Sequence, residues 1–215
     1  MTTSMTQIRS DLWETRTDTP FPGLTTHAYL WTPNGPNALF YCPAGDADFA
    51  TLNSLGGVGD HYLSHQDEAG PMLARVAERF ASRLHAPAAE RETIEPHSPI
   101  DVLLSSRHVD DRGVEVIPTP GHSPGSTSYL VEGAQGRYLF TGDTMFVAAD
   151  GRWSTFVIPG VGDAAAMADS LNLLASLQPD VVISSAFGAR AVTALDGADW
   201  SVCVDEARRS IPVAR

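Results

Sequence analysis

The chain has 215 residues and a mass of 23.0 kDa, with 43% hydrophobic and 19% charged residues, the balance of a globular protein with a substantial core rather than a disordered one. Its 14 basic residues, all Arg, stand against 26 acidic ones for a formal charge of −12. That charge argues against non-specific nucleic-acid binding and against anionic membrane surfaces, and the absence of Lys excludes Schiff-base and P-loop chemistry.

The N-terminal stretch has no apolar core and carries acids early, so it does not read as a secretory signal. No run of about 18 apolar residues suggests a membrane span. HAYLWTP at 27–33 and NALFYCP at 37–43, split by NGP, predict a hairpin. A short helix is expected over 48–57, ending at Gly56–Gly57, followed by a buried strand over 59–65. Met72, Leu73, Val76 and Phe80 form one helical stripe, and Pro71 suits the first turn of that helix. Strands are expected at 83–87, 113–121, 126–133 and 136–143. A helix should run from the N-cap Asp163 to Leu177, with Met167, Leu171 and Leu174 on its apolar face. VVISSA at 181–186 reads as a central strand and 199–209 as a last helix. Strands and helices alternate twice in a similar order, which points to a layered α/β fold made of two halves. Cys42 and Cys203 are isolated. They make neither a disulfide framework nor a Cys-based zinc site and suit a reduced cytoplasm.

Three segments place polar residues just after an apolar strand, where sites collect in sheet-based folds. They are Ser64-His65-Gln66-Asp67-Glu68-Ala69-Gly70, Thr119-Pro120-Gly121-His122-Ser123-Pro124-Gly125-Ser126 and Thr141-Gly142-Asp143-Thr144. Each alone has a bland explanation: a helix N-terminus favouring carboxylates, a turn with an incidental His, a strand-ending turn. Their order along one chain resembles the metallo-β-lactamase fold superfamily, specifically the glyoxalase II-like hydrolases, with TPGHSPGS and LFTGDTMF the most specific parts.

The resemblance implies an αβ/βα sandwich of two mixed sheets, a single domain of two half-domains with the metal site between them. It places His65 at the second His and Asp67 at the Asp of a His-x-His-x-Asp-His motif. His122 takes the next ligand position and Asp143 that of the family's bridging carboxylate. Leu63 and Phe187 stand where the family has His and have no donor atom. Glu68 replaces another His but keeps an oxygen that can bind metal. The expected metal ligands are therefore His65, Asp67, Glu68, His122 and Asp143, holding one divalent ion rather than two. Zn is the first choice, with Fe or Mn as alternatives. His61 lies on the same strand face as Leu63 and His65 and is read as a core histidine. His27, His85, His97 and His108 are read as surface or packing residues.

The implied activity is hydrolysis of a small ester, thioester or lactone-like substrate, with Asp67 as a ligand or as the group that orients and deprotonates the attacking water. The implied partner is a small molecule, and a homodimer is allowed. The alternatives are a non-catalytic binding or scaffold protein with a degenerate site, or mononuclear iron oxygen chemistry. Relatives with that last chemistry use the position that is Leu63 here. A Ser123 or Ser126 nucleophile lacks the Gly-x-Ser-x-Gly elbow. LGGVGD at 55–60 precedes a strand instead of opening a helix, so it fails as a dinucleotide loop. Arg152 and Trp153 are weighed as pocket residues against an exposed loop that packs one aromatic.

Overall fold

The computed structural model describes residues 4–21 and 24–212. These divide into two compact units. One runs to Ser105 and takes in the turn Gly133–Gln135; the other comprises Ser106–Glu132 and the chain from Gly136 onward.

The first unit contains β1 (Thr6–Arg9), β2 (Leu12–Glu14), β3 (Asp18–Phe21), β4 (Leu24–Thr26), β5 (Tyr29–Trp31), β6 (Ala38–Phe40), α1 (Phe49–Ser54), β7 (Asp60–Tyr62), α2 (Pro71–Phe80), β8 (Arg83–Pro87), α3 (Arg91–Ile94) and β9 (Val102–Leu104). Seven strands make one mixed sheet in the order β1-β2-β5-β6-β7-β8-β9. Pairing is antiparallel as far as β6 and parallel from β6 to β9. The expected hairpin is β5–β6, with Leu30 opposite Leu39. The helix expected over 48–57 stops at Ser54, and Gly56 and Gly57 then adopt positive φ. The Asn37 amide closes that loop by donating to the carbonyls of Leu55 and Gly57, both at 2.9 Å.

Pro71 occupies the first turn of α2, where a missing N–H leaves nothing unsatisfied. Leu73 and Val76 face inward as the stripe requires. Leu73 packs with Leu63, Leu84, Ala86 and Ile94 in a local core, each Leu or Ile side chain contributing about 1.5–3 kcal/mol when fully buried. The hairpin β1–β2 and strand β9 were not expected. They are three or four residues long, too short for a period to show.

The second unit contains β10 (His108–Val109), β11 (Glu115–Pro118), β12 (Thr127–Gly133), β13 (Gly136–Gly142), β14 (Phe146–Val147), β15 (Trp153–Ser154), α4 (Ala164–Ala175), β16 (Val181–Ser184), β17 (Ala186–Phe187), β18 (Val192–Ala194) and α5 (Trp200–Arg208). Its sheet has the order β10-β11-β12-β13-β16-β18. β16 lies parallel to β13 and antiparallel to β18, so the continuous apolar strand is interior as expected. It ends at Ser184 rather than at residue 186.

The Asp163 carboxylate caps α4 by accepting from the N–H groups of Ala165 (2.7 Å) and Ala166 (3.0 Å). Met167, Leu171 and Leu174 of α4 and Trp200 and Val204 of α5 bury their apolar sides with Ile117, Leu139 and Val182 of the sheet. Trp153 belongs to the same core, edge-on to Trp200 with ring centroids 6.0 Å apart, while Arg152 is exposed. Arg152 and Trp153 also line a cavity of about 250 Å³ together with Asp150 and Glu206. Each unit is thus a mixed sheet with its own helices and its own apolar core.

Candidate metal centre

In the first unit the parallel strand β7 ends at Tyr62 and the chain continues through Leu63, Ser64 and His65 into a 3₁₀ turn, Gln66–Glu68. Leu63 is still tied to the neighbouring strand by its N–H, which donates to the His85 carbonyl at 3.0 Å. Its side chain is wholly buried in the local core described above. The buried Glu90 carboxylate accepts the Gln66 N–H at 2.7 Å and so fixes the start of the turn.

His65 is buried, with Nδ1 2.8 Å from Ser64 Oγ. Ser64 in turn gives its hydroxyl to Glu68 Oε1 (2.5 Å) and its N–H to Glu68 Oε2 (2.9 Å). Burial pushes the Glu68 carboxyl above the usual carboxylate range, against the opposing pull of His65 and Ser64. Asp67, in the middle of the turn, is exposed.

His61 bears out its reading as a core histidine. Its Nε2–H donates to the Tyr41 carbonyl at 2.9 Å, and burial lowers its pKa to about 4. That bond supports a Tyr41 backbone at φ 65°, a conformation a bulky residue adopts only when its surroundings impose it. Beside it His85 Nε2 donates to Asp60 Oδ1 at 2.8 Å, and the His85 ring stacks on Tyr62. Burial alone would raise the Asp60 carboxyl, but hydrogen bonds from His85 and Arg83 bring it below its ordinary value.

In the second unit His122 sits on the loop between β11 and β12. The loop is bonded to itself: Thr119 N–H to Ser126 O (2.7 Å), Gly121 N–H to Ser123 O (3.1 Å), Ser123 N–H to Ser126 Oγ (3.0 Å). The Ser123 and Ser126 hydroxyls are buried and hydrogen-bonded to one another at 2.8 Å, so neither is set up as a nucleophile. Gly121 has φ 142°, and a Cβ there would overlap the Met167 backbone of α4. Only a glycine lets the loop lie this close to the helix.

His122 Nδ1 is 2.9 Å from the Phe156 carbonyl, which can only accept. Nδ1 therefore carries a proton, and in the neutral ring Nε2 presents its lone pair. That Nε2 is 3.8 Å from Asp143 Oδ2. The other oxygen, Asp143 Oδ1, accepts from the Ser185 hydroxyl and from the Ala186 N–H (3.1 Å). Asp143 is thus clamped through one oxygen and offers the other to the His122 side. Two donor atoms bound to a tetrahedral ion at ordinary Zn–N and Zn–O lengths stand about 3.4 Å apart, so His122 and Asp143 fit a shared divalent cation. Phe187, at the position expected for a final His, is half-buried on β17.

These features match the comparisons with known proteins. The sequence profile of the metallo-beta-lactamase superfamily matches residues 58–186, and the chain belongs to that superfamily. Among individual relatives it is 34% identical to a hydroxyacylglutathione hydrolase of Mesorhizobium japonicum over 122 residues, 55% of this chain and 47% of that protein. It is 37% identical to a probable metallo-hydrolase of Methanocaldococcus jannaschii over 99 residues, 46% of this chain and 40% of that protein. The matched region thus spans less than half the length of both relatives. Among solved structures, the DIM-1 metallo-beta-lactamase superimposes with a TM-score of 0.74 at 13% identity, covering 96% of this chain and 95% of that one. A metallo-beta-lactamase from Pontibacter korlensis gives 0.73 at 14% identity, covering 97% and 98%. The expected fold class, mixed sheets with helices in the metallo-β-lactamase pattern, is the observed one.

Sequence reasoning missed groups that hold the candidate ligands. Ser64, bonded to His65 and Glu68, carries a weak signal as a polar residue beside a His. Phe156 carries none, because it acts through a backbone carbonyl that any residue would supply.

Proposed function

We propose that this protein is a metal-dependent hydrolase of a small ester, thioester or lactone-like substrate, with His65, Asp67, His122 and Asp143 as ligands of one divalent ion. The observation that carries the reading is the His122 Nε2–Asp143 Oδ2 pair at 3.8 Å, each partner locked from its far side. Superfamily membership supports it, and so do relatives called hydroxyacylglutathione hydrolase. Zn²⁺ suits two imidazoles and carboxylates best, and Fe²⁺ or Mn²⁺ gain from each added carboxylate. Leu63 and Phe187 withhold two nitrogen donors, which is why one ion is proposed rather than two.

When bound, the ion supplies a Lewis acid for the scissile carbonyl and makes a coordinated water acidic enough to react near neutrality. The chain's own contribution is positional. His122 is held as a neutral lone-pair donor by its Nδ1–H bond to Phe156 O. Asp143 is oriented by Ser185 and Ala186. Asp67, reachable from solvent, either joins the ligands or orients the attacking water and takes its proton. No helix among the described residues is long and apolar enough to cross a membrane. The half-buried free thiols Cys42 and Cys203 support a reducing, cytoplasmic setting.

The test is metal content in protein purified without chelator, with hydrolysis of thioester and lactone substrates measured before and after adding Zn²⁺, Mn²⁺ or Fe²⁺. The expected result is close to one equivalent of ion, with turnover abolished by His122→Ala. Less than about a tenth of an equivalent, with no gain on adding any ion, overturns the proposal. A second reading, a binding or scaffold protein on this fold, is favoured by one observation: Leu63 is part of an apolar core where the family motif has a ligand. It predicts no metal-dependent rise in melting temperature, whereas a tight site raises it by linkage.

A further inference from the structure

Between β15 and the Asp163 cap of α4 the chain reads Thr155-Phe156-Val157-Ile158-Pro159-Gly160-Val161-Gly162, eight residues without a charge in a protein of net charge −12. The backbone of this segment is pinned along its length. Thr155 N–H donates to Ser210 Oγ at 2.9 Å, and Ile158 N–H to the His122 carbonyl at 3.2 Å. Gly162 N–H closes a turn onto Ile158 O at 2.8 Å. A Cβ on Gly162 would overlap the carbonyls of Gly121 and His122, so the segment lies directly against the loop that carries His122.

Within this fixed backbone Val157 turns into the core of the unit, but Phe156 is 49% exposed and Val161 44%. The Phe156 ring stands 5.9 Å from the His122 ring, centroid to centroid, at an angle of 51°. His122 Nδ1 is held by the Phe156 carbonyl, so the hold on the histidine needs nothing from the Phe156 side chain. A scattered exposed apolar residue needs no explanation. A half-exposed aromatic ring on a pinned, uncharged segment, in ring contact with a candidate ligand, is a different case. Binding sites join apolar and aromatic walls to a few placed polar groups, and His122 and Phe156 supply one of each.

We infer that Phe156 is a specificity-determining residue whose ring is the platform for an apolar acyl group of the substrate. The inference rests on the hydrolase reading and narrows it, from a small ester, thioester or lactone to one whose acyl group is a medium-length alkyl chain. An acetyl group ends one bond from its carbonyl, whereas a hexanoyl chain extends far enough to lie across a neighbouring ring. The platform favours the longer chain by removing its methylenes from water, and two methylenes so buried are worth about a tenfold preference.

Two measurements test this. The first uses no variant. Metal-free wild-type protein is titrated with hexanamide and with acetamide while the backbone amide resonances are followed. Hexanamide is expected to shift resonances of residues 155–162 and to bind about 10-fold more tightly than acetamide. Equal binding of the two amides, or shifts confined to other segments, overturns the inference. The second is kcat and KM of Zn²⁺-loaded wild type, Phe156→Ala and Phe156→Leu on the hexanoyl and acetyl thioesters of N-acetylcysteamine. Phe156→Ala should raise KM for the hexanoyl thioester about 10-fold at unchanged kcat and move the acetyl thioester by less than about twofold, with Phe156→Leu in between. Bound Zn²⁺ should be the same in all three, because the group that holds His122 is a backbone carbonyl. Equal losses on both thioesters, or lost Zn²⁺, give the side chain a structural role and overturn the inference. A wild-type dimer in sedimentation that Phe156→Ala dissociates makes a second copy the occupant of the ring and overturns it too. If wild type turns over neither thioester with any ion, the hydrolase reading fails separately, and the amide titration still decides whether the ring takes an alkyl chain.

Discussion

The two units bury different kinds of polar side chain. Among the described residues, the first unit encloses Asp48, Asp60, Glu90 and four histidines, His27, His61, His65 and His85. The second encloses His122 and otherwise only serines and threonines. A buried hydroxyl needs a hydrogen bond and little else, and Thr119, Ser128 and Thr144 satisfy one another in this way at 2.9 and 3.3 Å. A buried ionisable group needs a partner in a particular protonation state. The first unit therefore carries the candidate ligand His65 among buried ionisable groups, and the second carries its candidate ligands His122 and Asp143 among buried hydroxyls. The means of support differ accordingly: side chains hold His65, whereas backbone groups and one serine hold His122 and Asp143.

The sharpest way to break this comparison is to disturb the backbone support of the second unit. Gly121→Ala puts a methyl group into the Met167 backbone at a φ that favours glycine, and should cost about 4 kcal/mol in urea denaturation. Gly113→Ala shares a positive φ but meets nothing within 4 Å, so only the conformational cost of about 1–2 kcal/mol should remain. Equal losses for the two would show that close packing against α4 is not what the His122 loop depends on.

Next in size are attempts to restore the family's histidines. Leu63→His replaces a fully buried core leucine with a polar ring and should destabilise by about 3 kcal/mol without raising metal stoichiometry. Phe187→His alters a half-buried position and should cost about 1 kcal/mol. A stable Leu63→His protein that gains a second equivalent of metal would show that the Leu63 position faces the ligands after all.

The smallest and most graded effect is on pH dependence. His61 has a folded pKa of about 4 against an ordinary value near 6.5. The unfolded chain binds the extra proton between those two values. Stability from His61 is therefore complete above about pH 6.5 and is lost as pH falls toward 4, by about 3 kcal/mol in all. Asp60, held below its usual range, contributes above its unfolded pKa and loses that contribution as pH falls through the folded one. Denaturation midpoints followed from pH 7 to 4, with NMR titration of His61, should show the His61 loss, and the Asp60 loss should follow only below the ordinary carboxylate pKa. An ordinary titration of His61 near pH 6.5 would remove the physical basis for the contrast.

Much of this was legible in the sequence where local chemistry and tertiary role coincide. Pro71 followed by a stripe ending at Phe80 gave the bounds of α2, and Asp163 gave the start of α4. The segments bearing His65, His122 and Asp143 stood out because polar residues followed apolar strands directly. Strands of two to four residues such as β1, β9 and β14 were not legible, because runs this short show no period and become strands only through their pairing partners. The environment of Leu63 was not legible either. Its lack of a donor atom could be read at once, but its place among Leu73, Leu84, Ala86 and Ile94 depends on residues up to 31 positions away. Which way the Glu68 carboxylate turns was not legible either, because one-dimensional spacing does not carry it; it lies 3.5 Å from His65 Nδ1.

The loop that carries His122 is fastened to α4 at three points: the Gly121–Met167 approach, Asp163 N–H to Gly121 O at 2.9 Å, and Ser170 Oγ–H to Pro120 O at 2.6 Å. Loop and helix therefore open as one cooperative unit, and amide exchange in the first turns of α4 should slow and quicken in step with exchange in the loop. A change on the far side of α4 reaches the His122 loop through that joint movement. Improving the helix, for instance with better helix formers on its exposed face, is a way to stiffen the candidate site without touching any residue in it.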